Sequence, residues 1–274
     1  AQAFVKAVFY AQAEGLYLRI YDCYRPSSVQ QLMWDKEDSG KFLSSPEKGS
    51  NHSRGGAIDL GLCDSSGKPL PVVGHPDLFR PILCLDPGPQ SIGVAPGDQL
   101  DAVQRAGGVP MLSVDPVPLG PGVCTTGVIP RRSDFETVRL SSFTVKNGEL
   151  HTDLLEDDLA VGVLVRGRGV VVVTGCSHAG IVNVVHRVLE LFPGAPLDGV
   201  LGGFHLGAAS EERLARTVGA LAELRPRWIA PGHCTGFEAQ RAFRERFGEA
   251  FVRPHAGMLL TVAPEEDLAP RRGA

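Results

Sequence analysis

Two sets of side chains in this sequence carry metal-ligand chemistry. In the first, His52 and Asp59 stand seven residues apart in "GSNHSRGGAIDLGL", Gly49 to Leu62. An imidazole in a slim Gly/Ser loop and a carboxylate on the run that follows can converge on one ion, but a catalytic zinc centre ordinarily takes three protein ligands and an open position for water. This pair is half a site. In the second set, His178 in "VVVVTGCSHAG", His205 in "VLGGFHL" and His233 in "WIAPGHCTG" each follow an apolar run, and Cys176 precedes His178 by two residues. Imidazole and thiolate both suit zinc, and the crevice beyond the carboxyl ends of strands is where α/β sheets bind ligands. One such histidine alone is more often a hydrogen-bonded strand end; the set of three points to a shared metal or substrate pocket. Arg25 in "YDCYRP" also ends an apolar stretch, where a fixed guanidinium can stabilise developing negative charge.

The elements that position these groups show unevenly in the sequence. Residues 1–14 place Phe4, Val8 and Ala11 on one helical face, and Gly15 stops that helix. "LYLRIYD" alternates as a half-buried strand, Pro26 and Ser27 open a short helical stretch through Leu32 and Trp34, and "AIDLGL" reads as a second strand. From about Leu70 to Pro130, Pro and Gly crowd the chain and obscure regular elements, which places a domain boundary near residues 70–75. Beyond Leu154 the pattern predicts strands "LAVGVLV" and "GVVVVTG", a helix from Ala179 to Phe192, a strand "DGVLGG" and a helix from Glu211 to Leu224 with Ser210 as N-cap. A strand "RWIAPG", a helix over 237–247 and a final strand "GMLLTV" follow. Such alternation gives a layered α/β fold.

Composition narrows the function further. The 274 residues are 43% hydrophobic with a formal net charge of −4, and without Lys/Arg runs they offer no footprint for nucleic acid or an anionic membrane. The apolar runs "GVVVVTG" and "AVGVLV" fall far short of the roughly 20 residues that span a bilayer, so no membrane partner is expected. The first residues carry no basic-then-apolar leader, so no signal peptide is expected, and six cysteines without a CxxC pair favour reduced thiols in a cytoplasm.

Taken with "YDCYRP", the segment "GSNHSRGGAIDLGLCDSSGKPL" resembles the zinc D-alanyl-D-alanine dipeptidases of the vancomycin-resistance type, whose signature is S-x-H-x-x-G-x-A-x-D. Ser50, His52, Gly55, Ala57 and Asp59 fill its fixed places. The resemblance implies that His52 and Asp59 ligate zinc, that Ser50 stands beside the substrate or the ligands, and that Arg25 assists the transition state on a D-Ala-D-Ala peptidoglycan dipeptide. It also calls for a later Glu base and a third ligand His in an E-x-x-H type segment. Glu149 with His151 in "GELHTD" and Glu249 with His255 in "GEAFVRPH" have other spacings.

The later motifs "TGVIPR", "EDDLAVGVLV", "TGCSHAGIVNVV", "GGFHL" and "PGHCTG" resemble the metallo-β-lactamase-fold hydrolases, in the dihydropterin-ribofuranosyl-aminobenzene-phosphate synthase subfamily. This implies an αββα sandwich holding one or two divalent ions, zinc in the first instance, with a metal-bound hydroxide attacking an ester or phosphoester. His178 and His233 would be ligands, with His205 near the metal or substrate; whether Cys176 or His178 takes the ligand place stays open. The H-x-H-x-D-H loop that supplies most ligands in that fold is missing before "GHPDLF", where the dipeptidase-like piece stands instead, and His75 alone cannot replace it.

The expected fold class is therefore α/β: a partial metallo-β-lactamase αββα sandwich preceded by a small α+β dipeptidase-like fragment. The divisions fall at 1–73, 74–265 and a tail of 266–274. The expected function is that of a fused metallohydrolase acting on a small-molecule substrate, with catalysis impaired or lost. The alternatives are a noncatalytic metal- or ligand-binding module, or a hybrid site in which His52 and Asp59 complete the His178/His233 pair. Losing the front half of a two-sheet fold leaves one sheet face without its partner, which predicts marginal stability, exposed apolar surface and self-association.

Overall fold

A computed structural model describes residues 17–22, 31, 35, 59–63, 71–85, 88–94, 99–105, 109–136, 142–255 and 258–265. The chain divides into two compact units, one of Ala1–Val72 with Ile92–Met111 and the other of Val73–Ser91 with Leu112–Ala274.

In the first unit, β1 (Tyr17–Asp22) and β2 (Asp59–Cys63) form an antiparallel ladder that sets Tyr17 opposite Cys63 and Asp22 opposite Asp59, with a bulge between Ile20 and Asp22. Both strands fall where they were predicted, on "LYLRIYD" and "AIDLGL". Gln31, inside the stretch predicted from Pro26 through Trp34, and Asp35, one residue beyond it, are helical, and the Gln31 amide donates to Asp35 Oδ1 at 2.7 Å. The helix expected over 1–14, and the site candidates Arg25, Ser50 and His52, lie outside the described residues. Asp59 opens β2.

Through the Pro/Gly-rich stretch the elements are too short for any periodicity to show: β3 (Pro71–Gly74), β4 (Ile82–Cys84), β5 (Gln90–Ile92), α1 (Leu100–Arg105), β6 (Val109–Leu112), β7 (Pro118–Gly120) and β8 (Val123–Thr125). His75 is buried there and its Nδ1 accepts the Asp77 N–H at 3.0 Å, capping a 3-10 turn, which is a structural role. A hairpin of β9 (Ser142–Lys146) and β10 (Glu149–Thr152) completes a four-stranded sheet in the order β10-β9-β4-β5.

The second sheet adds β11 (Ala160–Val165), β12 (Gly169–Thr174), β13 (Leu197–Gly203) and β14 (Trp228–Gly232), giving the order β14-β13-β12-β11-β8-β7. β12, β13 and β14 run parallel, while β11 is antiparallel to β12 and β8. Parallel strands buried on both faces read as unbroken apolar runs, and "GVVVVT" is such a run. Helices α2 (Ile181–Leu191), α3 (Glu211–Glu223) and α4 (Phe237–Phe247) cover one face. Beneath them lies a core that includes Val170, Val172, Val184, Val188, Leu221, Ile229 and Phe243, all with no exposed surface. A Cβ at Gly162 of β11 would sit 2.6 Å from the Phe192 ring and 2.8 Å from Val188, so the glycine lets α2 approach the sheet.

Two sequence readings need correction. Helix α2 starts at Ile181 rather than Ala179, because Gly180 takes φ 95° and the Ala179 N–H is already given to Asp158 Oδ2 at 2.9 Å. The stretch "MLLTV" over 258–262 forms no strand, although its alternation survives as burial: Met258, Leu260 and Val262 are half-buried while Leu259 and Thr261 are exposed. The ladder position it would need at the sheet edge is partly taken, since Phe251 bridges Ile229 and the Val252 N–H donates to Ile229 O. Among the described residues, no helix is long and apolar enough to cross a membrane.

Candidate metal centre

The carboxyl ends of β12, β13 and β14 lie side by side, and the residues that follow them carry the predicted chemistry. Cys176 and His178 follow β12, His205 follows β13, and His233 and Cys234 follow β14. His233 Nε2 lies 3.0 Å from Cys176 Sγ. The ligand atoms of Cys176, His233 and Cys234 all fall within 4.8 Å of one another, and the Cys234 thiol also donates to the Cys176 carbonyl at 3.6 Å. The His178 and His205 rings meet edge to face, with centroids 4.6 Å apart at 89°. The strand ends thus sort the candidates into a thiol–imidazole cluster and a histidine pair. Cys234 was not among the candidates read from the sequence, although it stands directly beside His233.

The loops that hold these residues are strained and then tied. Ser177, His205 and His233 adopt left-handed backbone with φ of 58°, 49° and 50°, a conformation that costs a non-glycine residue roughly 1–2 kcal/mol. Such outliers persist where the surroundings over-determine them, and here they do. Ser177 Oγ donates to Gly203 O at 2.7 Å and lies 3.0 Å from Thr174 Oγ1. Thr235 Oγ1 donates to Gly232 O at 2.6 Å and accepts the Phe204 N–H at 3.2 Å. The Gly203 N–H donates to Gly175 O at 2.7 Å, and the Gly207 N–H to Cys234 O at 3.2 Å. Each bond joins a strand-end loop to its own strand, to the neighbouring strand or to a neighbouring loop.

A second support grips the peptide bond between His178 and Ala179 from both sides. Arg131 Nη1 donates to the His178 carbonyl at 2.8 Å, and Asp158 Oδ2 accepts the Ala179 N–H at 2.9 Å. Arg131 Nη2 also holds Leu154 O at 2.5 Å. Both charged groups are half-buried at a cavity of about 210 Å³ lined in part by Ile129, Leu155 and Glu156. Burial raises the Asp158 carboxyl above its ordinary range, against the opposing pull of the Ala179 N–H, His178 and Arg131. Burial likewise lowers the Arg131 guanidinium. Next along, the buried Glu136 carboxylate accepts the Val182 and Asn183 N–H groups, each at 3.0 Å, and so satisfies two of the free donors at the start of α2.

Burial, with Cys234 alongside, pushes the Cys176 thiol up to about 11, so in the absence of a cation the thiol keeps its proton at neutral pH. A bound cation inverts that preference, because a coordinating thiol is deprotonated. Two half-buried thiols and an exposed imidazole fit a metal ion held by three protein ligands with one side open.

No family model matches the chain. The 7,8-dihydropterin-6-methyl-4-(β-D-ribofuranosyl)-aminobenzene-5′-phosphate synthase of Methanocaldococcus jannaschii is 33% identical to it over 204 residues, which are 73% of this chain and 69% of that protein. The chain belongs to that synthase's family. The uncharacterised protein MJ0448 of the same organism is 32% identical over 148 residues, 54% of this chain and 53% of its own length. The crystal structure of Tm1679, a metal-dependent hydrolase of the β-lactamase superfamily, superposes with a TM-score of 0.63 at 25% identity, covering 78% of this chain and 84% of that one. This fixes the fold class as a partial metallo-β-lactamase sandwich. The D-alanyl-D-alanine dipeptidase of Escherichia coli K12 is 44% identical over 68 residues, 25% of this chain and 35% of that enzyme. Both resemblances read from the motifs are therefore real, and the second covers about a third of the dipeptidase.

Proposed function

We propose that this chain is a metallohydrolase by lineage, a fusion of a dipeptidase-like piece (1–73) with a metallo-β-lactamase-fold domain (74–265) and a tail (266–274), whose strand-end centre binds one zinc ion. The observation that carries this reading is the convergence of Cys176, His233 and Cys234 at the carboxyl ends of β12 and β14, the two strands that flank β13. His233 holds the ion together with Cys176, His178 or both. The ion supplies Lewis acidity toward an ester or phosphoester of a small molecule. Arg131 and Asp158 fix the peptide that aims His178, and His205 packs against the His178 ring. In the dipeptidase-like piece, His52 and Asp59 keep that family's ligand positions without the third ligand that would hold an ion, with Ser50 beside them and Arg25 as the charge-stabilising group toward a D-Ala-D-Ala dipeptide.

Catalysis is impaired in this reading, because neither the H-x-H-x-D-H loop of one fold nor the E-x-x-H segment of the other is present in the sequence. The scattered cysteines, without a CxxC pair, support a cytoplasmic setting. The test is zinc stoichiometry by mass spectrometry on the dialysed full chain, beside His52→Ala and His233→Ala, with hydrolysis of D-Ala-D-Ala and of a phosphodiester measured in parallel. The expected result is one equivalent of zinc, lost in His233→Ala and kept in His52→Ala, with little turnover of either substrate. Zinc lost in both variants would mean that the two half-sites share one ion, and turnover at the rate of an intact relative would overturn the impairment.

A further inference from the structure

We propose that the strand-end centre is a two-thiolate, one-imidazole site, with Cys176 and Cys234 as anionic ligands beside His233, and that it therefore selects a soft divalent ion such as zinc, cadmium or cobalt over magnesium or manganese. This inference rests on the reading of the strand ends as a metal site and names its donors and the class of ion it takes.

Geometry supports the donor set. Zn–S bonds of about 2.3 Å and Zn–N bonds of about 2.0–2.1 Å in a tetrahedral site place ligand atoms roughly 3.5–3.8 Å apart. The three ligand atoms already fall within 4.8 Å of one another, with the His233 Nε2 to Cys176 Sγ contact at 3.0 Å. Accommodating an ion means opening that contact by about half an ångström, a shift within the reach of side-chain rotation. The backbone beneath is in place beforehand, because Ser177, beside Cys176, and Thr235, beside Cys234, are both anchored to buried carbonyls of the strand ends.

Chemistry then decides the ion. Magnesium and manganese favour carboxylate, carbonyl and water oxygens, whereas thiolates select zinc and other soft ions. The cluster holds no carboxylate among the described residues, and the nearby Asp158 already accepts the Ala179 N–H. His178 is packed edge-on against His205 rather than grouped with the thiols. With the histidine-rich loop missing from the sequence, the two cysteines occupy the places left for donors, and Cys176 rather than His178 provides the ligand after β12. The exposed side of His233 leaves the fourth position to solvent or substrate.

The test is cobalt titration of the metal-stripped full-length chain, read by absorption, with Cys176→Ser, Cys234→Ser and His178→Ala alongside. The expected result is a near-ultraviolet sulfur-to-cobalt charge-transfer band that saturates at one equivalent and survives in His178→Ala. Either serine variant should weaken the band and lower zinc affinity by more than the roughly 10–100-fold that loss of an outer hydrogen-bond partner costs. Should a serine variant fail to fold, alkylation of the parent with and without zinc replaces it. Zinc should then protect Cys176 and Cys234 and leave Cys124 unchanged, and absence of that protection overturns the proposal. Cobalt bound with ligand-field bands but no charge-transfer band would overturn thiolate ligation while leaving a metal site. No binding of cobalt or zinc by the parent would overturn both the donor set and the metal-site reading. Magnesium displacing cobalt at comparable concentration would overturn the selectivity.

Discussion

On the helix side of the six-stranded sheet, Val170 and Val172 of β12 lie under α2 with Phe243 and Leu221 nearby, all with no exposed surface. On the other side of the same strand, Val173 is 38% exposed, and the buried cluster consists of Val165, Val171, Trp228 and Ala230, with Val163, Leu201, Val252, Leu260 and Val262 packed around it. The strand is equally apolar on both sides, so the difference lies in what covers it. Three amphipathic helices from the same unit finish one face. The other face is packed more thinly, by Val252 and by the stretch that carries Leu260 and Val262. A run of valines tells that a strand is made for burial on both sides; it does not tell whether both covers are present.

Four experiments would break or sharpen this contrast. The largest effect is expected from Phe243→Ala, which should cost about 3–5 kcal/mol in urea unfolding, against well under half of that for Val163→Ala on the thinner face. Equal costs would mean that both faces are equally packed. Arg131→Met, at the strand-end rim, strips hydrogen bonds from the His178 and Leu154 carbonyls and leaves Asp158 without its neighbouring cation, for an expected loss of about 1–3 kcal/mol. A loss below a few tenths would show that the grip on the 178–179 peptide is idle.

The third concerns pH on the helix face. Burial raises the folded-state pKa of Glu136 above its ordinary value of 4.5. A raised folded value means that the group's contribution is fully present below 4.5 and is lost as pH climbs through the folded value. The stability of the parent relative to Glu136→Gln should therefore fall from pH 4.5 upward, measured as paired urea midpoints. A flat difference would assign Glu136 only its capping bonds. The smallest effect on stability, within about 0.5 kcal/mol, is expected from Val173→Lys on the thinner face. That variant should nevertheless reduce any concentration-dependent association seen by size-exclusion chromatography, and unchanged elution of a parent that does associate would remove this patch from the contact.

The regions legible in the sequence are those where one physical signal dominates. "GVVVVTG", "RWIAPG" and the helix over 237–247 appear within a residue or two of their predicted bounds, because burial on both faces or on one stripe writes itself into the pattern. Ser210 caps α3 as read, its hydroxyl accepting the Arg213 N–H at 3.2 Å. Among the described residues between 71 and 125 no strand exceeds four residues, too few for an alternation to be told from chance. The site was half legible. Strand-end histidines announced the pocket, but the pairing of His233 with Cys176 depends on two loops 57 residues apart. Arg131 and Asp158 meet one peptide from 47 and 21 residues away, a convergence that local pattern cannot encode. Cys234 was within reach of the sequence, since a His-Cys dipeptide after an apolar run doubles the donors at one strand end.

The left-handed backbone at Ser177, His205 and His233 sets this pocket apart in a way that selection can act on. Glycine at any of the three positions relieves the strain and makes the loop easier to fold, while removing a hydroxyl anchor or an imidazole. A chain that keeps side chains at all three sites carries a local conformational cost at the mouth of its pocket that glycine would remove.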